Sequence, residues 1–268
     1  MSSSLLSPED LEALRQAKLI LVSPNITARL GQLIGKPIES GLRLLPRGWN
    51  GRVLQTTETA LYRALEVSIS TLGAAEPGGS YRRSRDRMHK AIVIGSGAVA
   101  GAIGFYSVLV ELPFATGVML RSIAEIARSE GHDITSVETR LACLEVFALG
   151  GGGIEEEAAE TGYWAVRAAL AATIREAATH IAEKGLTQKG APVLVRLVAS
   201  VASRFGVVVT SQAAALAIPV VGAVSGGAVN YLFMDHFQDL ARAHFVIKRL
   251  ENEYGAQPVR AAFDSIVV

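Results

Sequence analysis

From residue 8 to about residue 73 apolar residues recur every three or four positions, which predicts two or three amphipathic helices. Breaks are expected near Pro24, at Gly35 to Pro37 and at Leu45 to Gly51. The first helix has a well-formed start. Ser7 is placed to cap it, Pro8 to occupy the first position, where its missing N–H costs nothing, and Glu9 and Asp10 to face the positive end of the helix dipole. GAAEPGGSYRRSRDRMHK follows as a turn-rich hinge with a basic cluster, Arg82, Arg83, Arg85, Arg87, His89 and Lys90. Ala91 to Val110 then carries no charge, a length that would span a bilayer core as a helix. Glu111 and Pro113 are expected to interrupt it before an amphipathic helix that stops at Gly131. Thr135 to Glu138 has capping-box spacing and predicts another helix through RLACLEVFAL, which runs into a flexible joint of four glycines, Gly150 to Gly153. IEEEAAETGYWAVRAALAATIREAATHIAEKG has acid at its start, Lys184 at its end and Gly185 behind it, as a helix prefers. A second uncharged region, Phe205 to Met234, is broken by Pro219, and a final helix is expected over DHFQDLARAHFVIKRLENEYG.

Strands do not alternate with helices anywhere in this pattern, so the expected fold is all-α: amphipathic helices packed around two glycine-rich apolar helical regions. The divisions expected are an N-terminal helical region at 1–75, a basic hinge at 76–90, a helical core at 91–255 and a tail at 256–268. The stretch AIVIGSGAVAGAIGFY admits two readings. Gly95, Gly97 and Ala100 match a dinucleotide fingerprint, but no second strand follows with an acid about 20 residues on to hold a ribose. The alternative is close helix packing. GAVAGAIGFY at 97–106 is echoed by GAVSGGAVNY at 222–231, which sets Gly97 and Gly101 against Gly222 and Gly226 on two apolar helices. The packing reading is preferred, because a phosphate loop has no reason to recur.

With 268 residues the chain can bury a core without disulfides or metal. A net charge of +1 argues against a nucleic-acid binder. The single cysteine, Cys143, sits in an apolar run and reads as a small buried hydrophobe in a reducing compartment. No basic segment leading into an apolar one opens the sequence, so a secretory leader is not expected and a cytoplasmic location is. Mean hydropathy is +0.32, and the excess lies in the two apolar regions. They are rich in Gly, Ala, Ser and Val, a composition that suits either a membrane segment or a buried helical hairpin. The basic residues Arg82, Arg83, Arg85, Arg87 and Lys90 stand just before the first region, where they would meet anionic lipid, and this favours association with the inner face of the membrane.

The segments LPFATGVMLRSIAEIARSEGHD, RLACLEVFALGG and SRFGVVVTSQAAALAIPVVGAVSGGAVNYLFMDHFQDLARAHFVIKRLENEYG resemble the EcsC protein family from about residue 90 to residue 255. The founding type of that family is encoded beside the components of a bacterial ABC transporter. The resemblance therefore implies an accessory or interaction role, with a membrane or a membrane protein such as a transporter as partner; it carries no catalytic residues and no cofactor.

On chemistry, His236, Asp239 and His244 share the last helix. With Glu111 they could contribute to a metal site, though two histidines eight apart need ligands from another helix. The other reading has the histidines hydrogen-bonded in a helix interface and Asp239 paired with Arg242. Glu111 is either a carboxylate at membrane depth or a partly exposed helix end. Arg121 and Glu125 should pair on a helix surface, Arg140 and Glu145 are five apart and should not, and Glu155 to Glu157 favour a helix start. No H-E-x-x-H, C-x-x-C, G-x-S-x-G or Walker A occurs, so an enzyme is not expected. The rival function is a soluble helical protein that binds a lipid or other hydrophobic ligand, with metal-dependent hydrolase chemistry as its extreme form.

Overall fold

The computed structural model describes residues 6–23, 26–71, 104–151, 159–184, 191–218 and 223–267. Among them every regular element is helical. In chain order these are α1 (Pro8–Val22), α2 (Ile26–Ile34), α3 (Ile38–Leu42) and α4 (Trp49–Thr71). A 3-10 turn (Gly104–Tyr106) then leads into α5 (Ser107–Ser129), followed by α6 (Val137–Leu149), α7 (Ala159–Lys184), α8 (Pro192–Ala217), α9 (Ala223–Tyr254) and α10 (Ala256–Ser265). The expected all-α class holds.

The architecture is organised around α6. Every residue from Thr139 to Ala148 is buried, and the helix packs against α4, α5, α7, α8 and α9. Apart from Arg140 and Glu145, RLACLEVFAL is apolar on all sides and has no continuous polar face to give to water, which is why it takes the centre. Its Phe147 ring lies 4.8 Å from Phe205 of α8 and 5.4 Å from Phe237 of α9, and these fully buried rings form the middle of the core. Close approach at the end of α6 depends on missing side chains. A Cβ on Gly150 would stand 2.7 Å from the Phe237 ring, and one on Gly151 would meet the backbone of Arg204. The first two of the four glycines are therefore packing contacts rather than the expected flexible joint; Gly152 and Gly153 lie outside the described residues.

Several expectations at helix ends hold. The Ser7 hydroxyl accepts from the Asp10 N–H at 3.1 Å, with Pro8 at the first position of α1. Gly131 has φ +86° and closes α5: its N–H bonds to the Arg128 carbonyl and that of His132 to Ala127, the paired bonds that typify a glycine-ended helix. Others shift. The cap of α6 is Ser136, one residue later than expected, whose hydroxyl accepts from the Thr139 N–H; Thr135 instead folds onto the Asp133 carboxylate. Pro113 and Glu111 do not interrupt a helix but lie inside α5. Proline in a helix interior costs about 3 kcal/mol, and here the buried row of Leu112, Thr116, Met119 and Ile123 offsets it. The last long helix begins at Ala223 rather than near Asp235, so Pro219 separates α8 from a single helix of 32 residues, about 48 Å long.

Residues 256–268, expected as a tail, contain α10, whose Val259 and Phe263 are fully buried. Lys18 ties it down. This lysine is 3% exposed, and its ammonium donates to the carbonyls of Phe263 at 2.9 Å and Ile266 at 2.8 Å, adding to the 3.4 Å bond that the Ile266 N–H makes to the Phe263 carbonyl at the end of α10. Asp10 ties α1 to the end of α9 by accepting from Tyr254 at 2.7 Å and Arg249 at 3.0 Å. The N-terminal helices thus share the core with the rest: α1 packs on α9, α4 on α5 and α8, and Gly41 of α3 lets its backbone rest on Ala214 of α8.

Candidate functional site

Two regions have chemistry that the core does not require. The first is on the outside of α5. Tyr106, Val110 and Phe114 stand at intervals of four, so they form one stripe along the helix, and they are 46%, 82% and 54% exposed. Gly117 continues the stripe into open space. On the opposite face of the same helix Val108, Leu112, Met119 and Ile123 are buried. Gly104–Ser129 and Pro192–Ala217 are each long and apolar enough to cross a membrane by length and composition, and 50% and 44% of their most apolar windows are buried within the protein.

Beside the stripe lies Glu111. Asn230 of α9 donates to its carboxylate at 3.4 Å and accepts from Gln212 of α8 at 2.7 Å, a polar bridge across three helices. Burial pushes the Glu111 carboxyl up, against the pull of the Asn230 hydrogen bond.

The second region is an internal chain of polar side chains below a pocket of about 530 Å³ between α6 and α7. It starts at Glu251 of α9, which holds Arg167 of α7 through two bonds of 2.9 and 2.7 Å. Arg167 also lies 3.4 Å from the Tyr163 hydroxyl, which is 3.2 Å from Nδ1 of His244. Guanidinium can only donate, so the phenol oxygen accepts from Arg167 and gives its own proton to His244. Neutral His244 then carries its proton on Nε2, which faces Oε2 of Glu145 at 3.5 Å. That last approach is too long for a good hydrogen bond, and Nε2 is a buried atom without a hydrogen-bond partner among the described residues. His244 is 0% exposed, and burial first, then the charges of Lys248 and Arg167, hold its pKa well below the ordinary histidine value. Burial likewise raises the Tyr163 phenol.

Glu145 ends the chain. It is 5% exposed, has no hydrogen bond among the described residues, and lines the pocket. Burial pushes its carboxyl up to about 6, with Lys248 and Arg167 pulling the other way. The pocket walls beside it are Ala142, Ala171, Ile174 and Ala178, and its charged lining is Glu138, Glu183, Arg175 and Lys248.

The residues singled out from the sequence are distributed differently. His236 and His244 stand two turns apart on α9, about 12 Å along the axis; His236 docks at Gly150, just past the end of α6, and His244 against Glu145 within the helix. The His236 ring rests by Gly150, and burial first, then Arg29, lowers its pKa to about 4. Asp239 pairs with Arg242 at 2.8 Å. Glu111 keeps company with Asn230. Among the described residues no group of three or more His, Cys, Asp or Glu side chains is arranged to hold a metal. Cys143 is buried, and burial pushes its thiol up to about 12. Gly97, Gly101, Gly222 and the basic residues Arg82, Arg83, Arg85, Arg87 and Lys90 lie outside the described residues, as do the surroundings of Gly226 in the first turn of α9. Glu145, Tyr163, Arg167, Lys248 and Glu251 were missed. The available signal is a carboxylate set alone in the apolar run LACLEVFAL.

These features define an all-helical protein with two long apolar helices, an outward apolar stripe and a buried polar chain that ends in a pocket. The model of the EcsC protein family matches residues 52–250, from the start of α4 to the end of α9, and the chain belongs to that family. No curated protein and no solved structure matches it.

Proposed function

We propose that this protein is a membrane-associated accessory or interaction protein of the EcsC type, working at the cytoplasmic face and taking a membrane protein, such as an ABC transporter, as partner. The observation that carries the reading is the stripe of Tyr106, Val110 and Phe114, large apolar side chains left in water on a helix whose other face is fully engaged. The occupant that suits it is a lipid surface. In sequence the stripe continues the uncharged run from Ala91, and that run follows Arg82, Arg83, Arg85, Arg87 and Lys90, so an apolar insertion and a basic attraction to anionic lipid stand side by side. Stable anchoring by weak elements requires two such contributions.

Flotation with vesicles tests this. The protein should float with vesicles that contain anionic lipid, and much less with neutral ones. Replacing both Val110 and Phe114 by Asp should weaken binding about tenfold or more, since each apolar side chain contributes on the order of 1 kcal/mol or more when it leaves water. Floating that is indifferent to those substitutions, or a protein that stays in solution with every lipid, would overturn the reading and return the apolar regions to a soluble, ligand-binding protein.

A further inference from the structure

The pocket between α6 and α7 contains opposite charges that do not meet. Lys248 acts on Glu145 through space, yet among the described residues no carboxylate stands within 4 Å of its ammonium, and Glu145 has only the long approach of His244. Arg175, which lines the same pocket, also lacks an ion pair among the described residues. A carboxylate this deeply buried is ordinarily satisfied by donors, and leaving it otherwise costs on the order of 1–3 kcal/mol or more. The polar chain explains why the protein supplies none on the pocket side. Arg167, Tyr163 and His244 pass their hydrogen bonds in one direction and end behind Glu145, so the carboxylate faces the open volume.

We propose that this pocket binds a small zwitterion, an ammonium joined by a short apolar linker to a phosphate, with the ammonium on Glu145 and the phosphate on Lys248 and Arg175. Glu138 and Glu183 line the same pocket and favour an ammonium over an uncharged hydroxyl as the donor. Two cations in the same lining favour phosphate over a carboxylate. Ala142, Ala171, Ile174 and Ala178 suit the linker. Phosphoethanolamine has this chemistry, whether free or as a lipid headgroup. The inference does not rest on the membrane reading, because the pocket lies between α6 and α7 and the stripe lies on α5.

Calorimetric titration of the full chain at about pH 7.5 with phosphoethanolamine, ethanolamine, inorganic phosphate and a short-chain phosphatidylethanolamine tests it. The zwitterion should bind at least about tenfold more tightly than either half alone. Glu145→Gln and Lys248→Met should each weaken it about tenfold. Affinity should also fall as pH drops through about 6, where Glu145 takes up its proton. Equal binding of free compound and lipid assigns a free solute, and binding of the lipid alone assigns a headgroup. The proposal is overturned if neither binds at about 10 mM, or if binding is unchanged in Glu145→Gln.

Discussion

Glu145→Gln isolates the cost of one buried charge. Gln has the shape of the carboxyl group and keeps an oxygen toward Nε2 of His244, so packing is preserved while ionisation is removed. In the native protein burial raises the carboxyl from 4.5 to about 6. Native Glu145 therefore holds its proton to higher pH than the unfolded chain does, and between those values folding takes up a proton. Stability must then decrease as pH rises through this window, the opposite of a salt-bridged carboxylate. A shift of about 1.5 pH units corresponds to about 2 kcal/mol at pH 7 and above. Urea denaturation of both proteins from pH 4 to 8, in buffer free of phosphate and amines, reads the difference. The variant should match the native protein below about pH 4.5 and exceed it by about 2 kcal/mol at high pH, or about 4 to 8 °C in Tm. A gap that does not change with pH, or a variant less stable at high pH, would refute the assignment of Glu145 as a buried, donor-poor carboxylate.

Further tests concern the packing. Gly150→Ala should destabilise by about 1–3 kcal/mol in urea, because its Cβ would press on the Phe237 ring, whereas Gly117→Ala, with open space around it in α5, should be neutral or stabilise by up to about 1 kcal/mol. Lys18→Met should cost about 1–3 kcal/mol and speed amide exchange in α10, since both carbonyls lose the ammonium and that of Phe263 keeps only its long bond from the Ile266 N–H; unchanged exchange there would show that apolar burial of Val259 and Phe263 holds the helix.

Local chemistry made much of the fold legible. The Ser7 cap, the Gly131 stop and the breaks near Pro24 and Gly35 depend on neighbours in sequence, and each appears where that chemistry requires it. The misplacements have tertiary causes. Pro113 was expected to end a helix, but the buried face of α5 carries the helix through it. Gly150 and Gly151 resembled a hinge until Phe237 and Arg204 came against them. The polar chain was the least legible part. Glu145, Tyr163, Arg167 and His244 come from three helices, and their spacing in sequence says nothing of their meeting. Arg140 and Glu145, five apart, do not pair, as their spacing implies: Arg140 turns back to the Ile134 carbonyl and Glu145 looks toward α9.

The clasp between Lys18 and α10 sets an order of events during synthesis. Its donor and acceptors are separated by 245 residues at Phe263, so the lysine emerges from the ribosome long before the carbonyls that will bury it. At about 5–20 residues per second, that interval is on the order of tens of seconds. Through all of it α1 must keep its ammonium in water, and can lie on the growing bundle only loosely. The earliest made of the described helices is thus among the last to be locked.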